Sequence, residues 1–442
     1  MATMADNFAV EVRLWGRTIG AAAKAEGDPF VSFQYSPPFA NSGMEVSPIT
    51  MPLSTRAYRF AELSLDSFRG LPGLLADSLP DKYGNALIDS WLALQGRSPD
   101  SFSALERLCY TGSRGMGALE YRPLVGPRAA RSPTLEIDKL VALASDILTK
   151  RGELGANFAK GRRAKALADI LRVGTSAGGA RAKAVIAWNS KTNQVRSGQV
   201  PTDSSFSYWL LKFDGVANNR DKELNDPKGF GAVEYAYSLM AKAAGINMSE
   251  CRILEENGRR HFMTRRFDRL DGGEKLHMQS LGALAHYDFN MAGAYSYEQA
   301  LGVIRRLGLK MEDVEQQFRR MTFNIVARNQ DDHVKNIAFL MDKGGNWSLA
   351  PAFDVTYSFN PAGGWTATHQ MTMNGKRDAF TKNDFRECAR NCGLKQGRAD
   401  AILGEIVEVV SRWKGFADEA GVEKRMIKQI EATHRLSFEQ GS

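Results

Sequence analysis

Asp331 is followed five positions later by Asn336, and eighteen beyond that by Asp354. The first two lie in Asn329-Gln330-Asp331-Asp332-His333-Val334-Lys335-Asn336, the third in the pair Phe353-Asp354. One carboxylate to accept the proton of an attacking hydroxyl, with an Asn carbonyl and a second Asp to hold Mg²⁺ on ATP, is a minimal kit for phosphoryl transfer. That reaction needs alignment and charge neutralisation more than covalent chemistry. Mg²⁺ takes few protein ligands because phosphates and water complete its shell. By residue type alone, the same stretch also reads as an Asp/Asn-rich turn that caps a helix.

The flanks say what must position these groups. Phe318, Met321 and Ile325 recur at helical spacing, so a helix packed on a core precedes the cluster. Ile337-Ala338-Phe339-Leu340-Met341 reads as a buried strand, Gly344-Gly345-Asn346 as a turn and Trp347-Ser348-Leu349 as the return strand. The polar cluster therefore falls where a helix ends and a hairpin begins, with the second Asp just after the hairpin. Loops on a rigid scaffold are common places for site residues.

Upstream, Val173-Gly174-Thr175-Ser176-Ala177-Gly178-Gly179-Ala180-Arg181-Ala182-Lys183 is a loop of small residues leading into the strand-like Ala184-Val185-Ile186-Ala187-Trp188. Small side chains let backbone N–H groups approach phosphate oxygens, and Arg181 or Lys183 could add charge. The pattern is not a Walker A sequence, and a tight hairpin turn is an equal reading. Phe206 to Phe213 is an apolar strand carrying Lys212, 33 residues after Gly179. A lysine there either snorkels from a sheet edge or faces a buried anion. The helical stretch Gly231 to Met240 offers Glu234 as a candidate ion-pair partner for Lys212, though a solvent-facing glutamate is the commoner fate, and His261 to Arg269 reads as a strand entering a turn. Gly-rich loop, strand lysine, helix glutamate, connecting strand, D-x-x-x-x-N and downstream Asp follow one another in the order protein kinases use.

Apolar residues make up 43% and charged residues 24% of the 442, which is ordinary for a globular protein and enough for two or three domains. No apolar run approaches a membrane span, and the first seven residues lack a signal-peptide pattern. The cysteines at 109, 251, 388 and 392 are too few and scattered for a disulfide framework. Cys388 and Cys392 read as two thiols on one helix face, not as a zinc site. A reducing cytoplasm fits. A net charge of +8 permits phosphate-rich partners without requiring them. Residues 8–35 alternate as a small antiparallel sheet, with helical patterns around 70–95 and 101–109 and a strand at 118–121. Pro123, Gly126-Pro127 and Ser132-Pro133 mark a linker, Leu135 to Leu148 is helical, and the Gly-rich basic run 152–163 has the composition of a mobile segment. From about 165 the pattern is mixed α+β, and beyond about 382 it is helical.

The runs Ser176 to Lys183, Leu211-Lys212, Arg266-Phe267-Asp268-Arg269, Asp331 to Asn336 and Ala352-Phe353-Asp354 together resemble the HipA family, bacterial serine/threonine kinase toxins of type II toxin–antitoxin modules. Gly73 to Asp81 and Gly112 to Leu119 are similar to that family's N-terminal domain, so the likeness spans nearly the whole chain. The resemblance implies an α+β, two-lobed protein-kinase-like fold. A small N-terminal sheet-and-helix subdomain would span 1–125, the rest of the N-lobe with phosphate loop, ATP lysine and hinge 134–295, and a helical C-lobe 296–442. Asp331 would be the catalytic base, with Asn336 and Asp354 as Mg²⁺ ligands. Gly178, Gly179, Ala180, Arg181, Lys183, Lys212, Arg265, Arg266, Phe267, His333 and Lys335 would line the ATP site, and Ser176 would be autophosphorylated. Implied partners are a HipB-like helix-turn-helix antitoxin, operator DNA reached through it, and a protein substrate. The family's best-known substrate is glutamyl-tRNA synthetase, and other translation factors belong to the same class. Arg181 and Ala182 stand where the family often carries polar or acidic residues, and Asp332 sets a second carboxylate beside the base. A silent scaffold that grips an antitoxin, and a small-molecule phosphotransferase, are the alternatives.

Overall fold

A computed structural model describes residues 8–125, 135–149, 181–199, 202–216, 228–270 and 272–441. The segment 152–163 and the loop from Val173 to Ala180, with Ser176, Gly178 and Gly179, lie outside the described residues.

The N-terminal subdomain is an antiparallel sheet of β1 (Ala9–Leu14), β2 (Arg17–Lys24), β3 (Val31–Tyr35), β4 (Ala57–Tyr58) and β5 (Leu119–Arg122). Its strand order is β4-β3-β2-β1-β5. Val10, Val12 and Leu14 are buried on one face, as the period-two alternation demands, and pack with Leu105, Leu108 and Leu75. Trp15 and Gly16 both take positive φ, the two-residue hairpin geometry that matches strand twist.

A second antiparallel sheet runs β7-β6-β8-β10-β9, from β6 (Lys183–Asn189), β7 (Gln194–Ser197), β8 (Ser207–Lys212), β9 (Cys251–Glu256) and β10 (Arg259–Arg265). Helices Lys82–Leu94 and Ile137–Thr149 bury Tyr83, Leu87 and Leu140 against Ile186, Trp209, Leu211 and Met263. The first of these helices belongs in sequence to the N-terminal subdomain, so that subdomain supplies part of the packing of this second sheet. Helix Phe230–Ala243 packs against β9 and β10.

The third body holds helices Tyr297–Arg306, Met311–Val326, Lys382–Cys392, Arg398–Ser411, Trp413–Glu419 and Lys424–Glu431 around one core. Phe318, Met321 and Ile325 are fully buried there, the face their spacing predicts. This lobe is helical beyond residue 382. It also carries β12 (Ala338–Met341) and β13 (Trp347–Leu349), which join β11 (His277–Ser280), and their Met341 and Trp347 pack into the core of the N-terminal subdomain. The four cysteines are buried and free. No helix among the described residues is long and apolar enough to cross a membrane.

Among the contacts that join the N-terminal subdomain to the rest are two made by buried or half-buried aspartates. Asp77 accepts hydrogen bonds from the Ser280 N–H (2.6 Å) and hydroxyl (2.8 Å). Asp268, fully buried, receives the Arg266 and Arg269 guanidiniums and the Gly117 N–H at 2.7 Å. Burial opposes its charge, but the two arginines hold its carboxyl far below the usual range.

Candidate active site

Lys212, the last residue of β8, is buried with its ammonium 2.5 Å from Glu234 Oε1 and 2.5 Å from Asp354 Oδ1. Glu234 sits in the first turns of helix Phe230–Ala243, where the closely packed Gly231 lets the helix approach the Arg260 carbonyl of β10. The glutamate is itself buried and also takes Arg181 Nη1 at 2.8 Å. Burial opposes the Lys212 charge, yet Asp354 and Glu234 hold its pKa above the lysine range. Burial likewise opposes the Asp354 carboxylate, while Lys212 and Lys183 hold it below the usual value. Asp354 adopts φ +51°, a left-handed conformation uncommon for a residue with a side chain and tolerated best by Asn and Asp.

Lys183 lies directly opposite Lys212 in the β6–β8 register. Two like charges across an antiparallel pair repel unless each has its own carboxylate. Lys183 has Asp81 at 3.1 Å, contributed by the N-terminal subdomain.

The cluster after helix Met311–Val326 begins at Arg328, whose φ of +59° turns the chain out of the helix. Asp331 is half-exposed, its Oδ1 accepting from Trp365 Nε1 at 2.7 Å, with His333 Nε2 at 3.9 Å. Asn336 Nδ2 donates to the Asp331 carbonyl at 2.8 Å. Asp332 is buried and saturated: Tyr297 donates at 2.6 Å, His369 Nδ1 stands at 2.7 Å, and the Gln370 N–H donates at 2.7 Å. Burial opposes its charge, but His369 and these donors hold its carboxyl below the ordinary value. The adjacent carboxylates thus have different surroundings, one open to solvent and one locked in the lobe's core.

Lys335 lies over the Phe289 ring, 4.1 Å from its centre. Burial lowers its pKa against the pull of Asp77, Asp81 and Asp288. Phe267 packs on Phe353, ring centres 5.5 Å apart, so the turn after β10 touches the residue before Asp354. Arg265 ends β10, and its N–H donates to the Glu250 carbonyl at 2.8 Å. The Arg266 side chain is turned away from this cluster, into the Asp268 clasp and toward the Gly115 carbonyl. Only the backbone of Arg266 remains on the β8 side, where its N–H donates to Tyr208.

The described residues hold no group of three or more His, Cys, Asp or Glu side chains able to bind a metal. Asn336 spends its amide nitrogen on the Asp331 carbonyl, so that bond leaves its oxygen uncommitted, and Asp354 is a half-buried carboxylate. Two such oxygens suit Mg²⁺ shared with phosphate and water. Trp365, Tyr297, His369 and Asp81 could not be singled out from spacing: each reaches the site from a segment distant in sequence.

A family model of the HipA-like C-terminal domain matches residues 175–413, and one of the HipA N-terminal domain matches residues 10–122. The structure of the Shewanella oneidensis MR-1 toxin–antitoxin protein HipA, solved with HipB and operator DNA, superposes with a TM-score of 0.67 at 15% identity. It covers 96% of this chain and 95% of that one. The Helicobacter pylori proinflammatory kinase CtkA gives a TM-score of 0.33 at 11% identity, over 52% of this chain and 88% of its own. The mixed architecture of sheets and helical lobe is that of a two-lobed kinase-like fold.

Proposed function

This chain belongs to the HipA family, and we propose that it is an ATP-dependent serine/threonine protein kinase that acts as the toxin of a type II toxin–antitoxin module. The observation that carries the reading is the buried Lys212 held between Glu234 and Asp354, with Asp331 and Asn336 on the facing lobe. An ion pair between a strand lysine and a helix glutamate is the arrangement kinases use to hold ATP phosphates.

In this reading Lys212 exchanges part of its contact with Asp354 for phosphate oxygens. Asp331 accepts the proton of a serine or threonine hydroxyl, whose oxygen bonds the γ-phosphorus as the bond to the bridging oxygen breaks and ADP leaves. Asn336 and Asp354 would hold Mg²⁺, which supplies charge neutralisation on the phosphates. The buried surroundings of Lys212 strengthen each of these charge interactions relative to water. The turn at residues 265–267 would border the adenine through backbone groups, and Ser176 would be the self-modified residue.

A HipB-like antitoxin and, through it, operator DNA are the partners we assign, on the strength of the family and the Shewanella complex. The host substrate is a protein, in the class of glutamyl-tRNA synthetase or another translation factor. Expression in a bacterium without the cognate antitoxin tests this. Growth should slow for the parent and not for variants of Asp331, Asn336 or Asp354, and mass spectrometry of the purified protein after incubation with ATP should find phosphate on Ser176. Equal toxicity of the Asp331→Asn variant would contradict a kinase mechanism.

A further inference from the structure

Asp81 begins helix Lys82–Leu94, and one of its carboxylate oxygens accepts from the Gly84 N–H at 2.5 Å. That contact is an ordinary N-cap, for which Asn or Ser would serve as well. The other oxygen does something a cap does not require: it faces the Lys183 ammonium at 3.1 Å, with both side chains at most 7% exposed. Burial raises the Asp81 carboxyl above its ordinary range despite Lys183 and the Gly84 amide. An N-cap needs only one acceptor, so the helix start does not account for the second oxygen's contact with Lys183.

The surroundings say what it serves. Lys183 opens β6 immediately after the loop that ends at Arg181, and it stands across from Lys212 on the same sheet face. Lys212 in turn meets Asp354 Oδ1 at 2.5 Å, so the Asp81–Lys183 pair adjoins the Lys212–Asp354 pair. Helix Lys82–Leu94 is fastened to the other face of the sheet by Tyr83, Ala86 and Leu87, so Asp81 is held on a rigid base.

We infer that Asp81 is a positioning residue for phosphoryl transfer, fixing the Lys183 ammonium beside Lys212 and Asp354 and so making the N-terminal subdomain part of the catalytic unit. This rests on the kinase reading above. With the carboxylate gone, Lys183 keeps its charge and still attracts ATP, but loses the orientation needed at the moment of transfer. Turnover should then suffer more than affinity.

The test uses the full chain, with autophosphorylation rates measured against ATP concentration in Mg²⁺ for the parent, Asp81→Asn, Asp81→Ser, Lys183→Gln and the Asp81→Asn/Lys183→Gln double variant. Asn and Ser keep the cap but leave the buried Lys183 ammonium without its carboxylate, so both should melt below the parent, and rates are compared at a temperature where every variant is folded. We expect kcat to fall about tenfold or more with KM for ATP within roughly threefold, because a lost bond to a charged group is of that size. The double variant should be no slower than Lys183→Gln alone, the non-additivity of two groups acting through one contact. Parent-like kcat in whichever cap-retaining variant folds, or losses that multiply in the double variant, would overturn the inference. A folded parent that transfers no phosphate would remove the kinase reading itself, which is a different result from an active parent with an equally active Asp81→Asn.

Discussion

The Asn336 side chain donates its amide to the main-chain oxygen of Asp331 at 2.8 Å, so the proposed base and metal ligand are locked to each other across the short turn between them. The bond settles which end of the carboxamide remains for a cation: its oxygen. Asn336→Ala and Asp354→Ala should therefore each raise the Mg²⁺ concentration that gives half-maximal activity, since a cation with few protein ligands replaces a lost one poorly. Titrating activity with Mg²⁺ measures this, and curves that overlay the parent's would make both residues turn-formers.

Lys212 is the second fixed point. Glu234→Gln keeps the shape of the helix face but removes a charge from both Lys212 and Arg181. KM for ATP should rise about tenfold or more, the effect expected when a bond between charged groups is lost. An unchanged KM would mean that Asp354 alone orients Lys212.

Asp332 is expected to report on stability. Its removal in Asp332→Ala leaves Tyr297, His369 and the Gln370 N–H without their acceptor in a buried site. A buried donor left unpaired costs about 1–3 kcal/mol, so three together should cost at least about 3 kcal/mol in urea unfolding. A variant of normal stability and no activity would instead make Asp332 the base.

Acid should weaken the fold before the carboxylates titrate. His277 is fully buried, its Nε2–H donates to the Val46 carbonyl at 3.1 Å, and burial lowers its pKa to about 4. The unfolded chain, with a histidine near 6.5, binds more protons between those values, so stability is complete above about 6.5 and declines as pH falls toward 4. One such group contributes a slope of up to about 1.4 kcal/mol per pH unit. His277→Gln should flatten the loss seen in urea unfolding between pH 7 and 5, and identical pH dependence in parent and variant would remove His277 as a cause.

Much of this was legible from spacing because spacing encodes which face is buried. Phe318, Met321 and Ile325 mark the helix before the cluster, and the apolar runs around Gly344-Gly345 mark the hairpin after it. Glu234 stood out as a partner for Lys212 because both lie on regular elements. Residues that meet through irregular chain left no such mark. Trp365 reaches Asp331 from an irregular segment 34 residues away, and Asp81 reaches Lys183 from another subdomain. The five-residue offset to Asn336 favoured Asp331 over the adjacent Asp332, and the packing of Tyr297 and His369 adds which of the two is open and which enclosed. Arg266 read as a residue of the nucleotide turn, yet its side chain is committed to Asp268, whose pull is strong because both are buried.

The most direct measurement is label transfer from γ-labelled ATP, with Mg²⁺, by the purified parent and by Asp331→Asn, alongside calorimetric ATP binding to each. The substitution keeps the Trp365 contact within reach and touches no proposed metal ligand. The parent should label serine or threonine. Asp331→Asn should bind ATP with similar affinity and transfer at least about 100-fold more slowly, the usual loss for a positioned proton acceptor. Transfer by Asp331→Asn at the parent's rate would contradict the assignment of Asp331 as the base, and with it the account of this site.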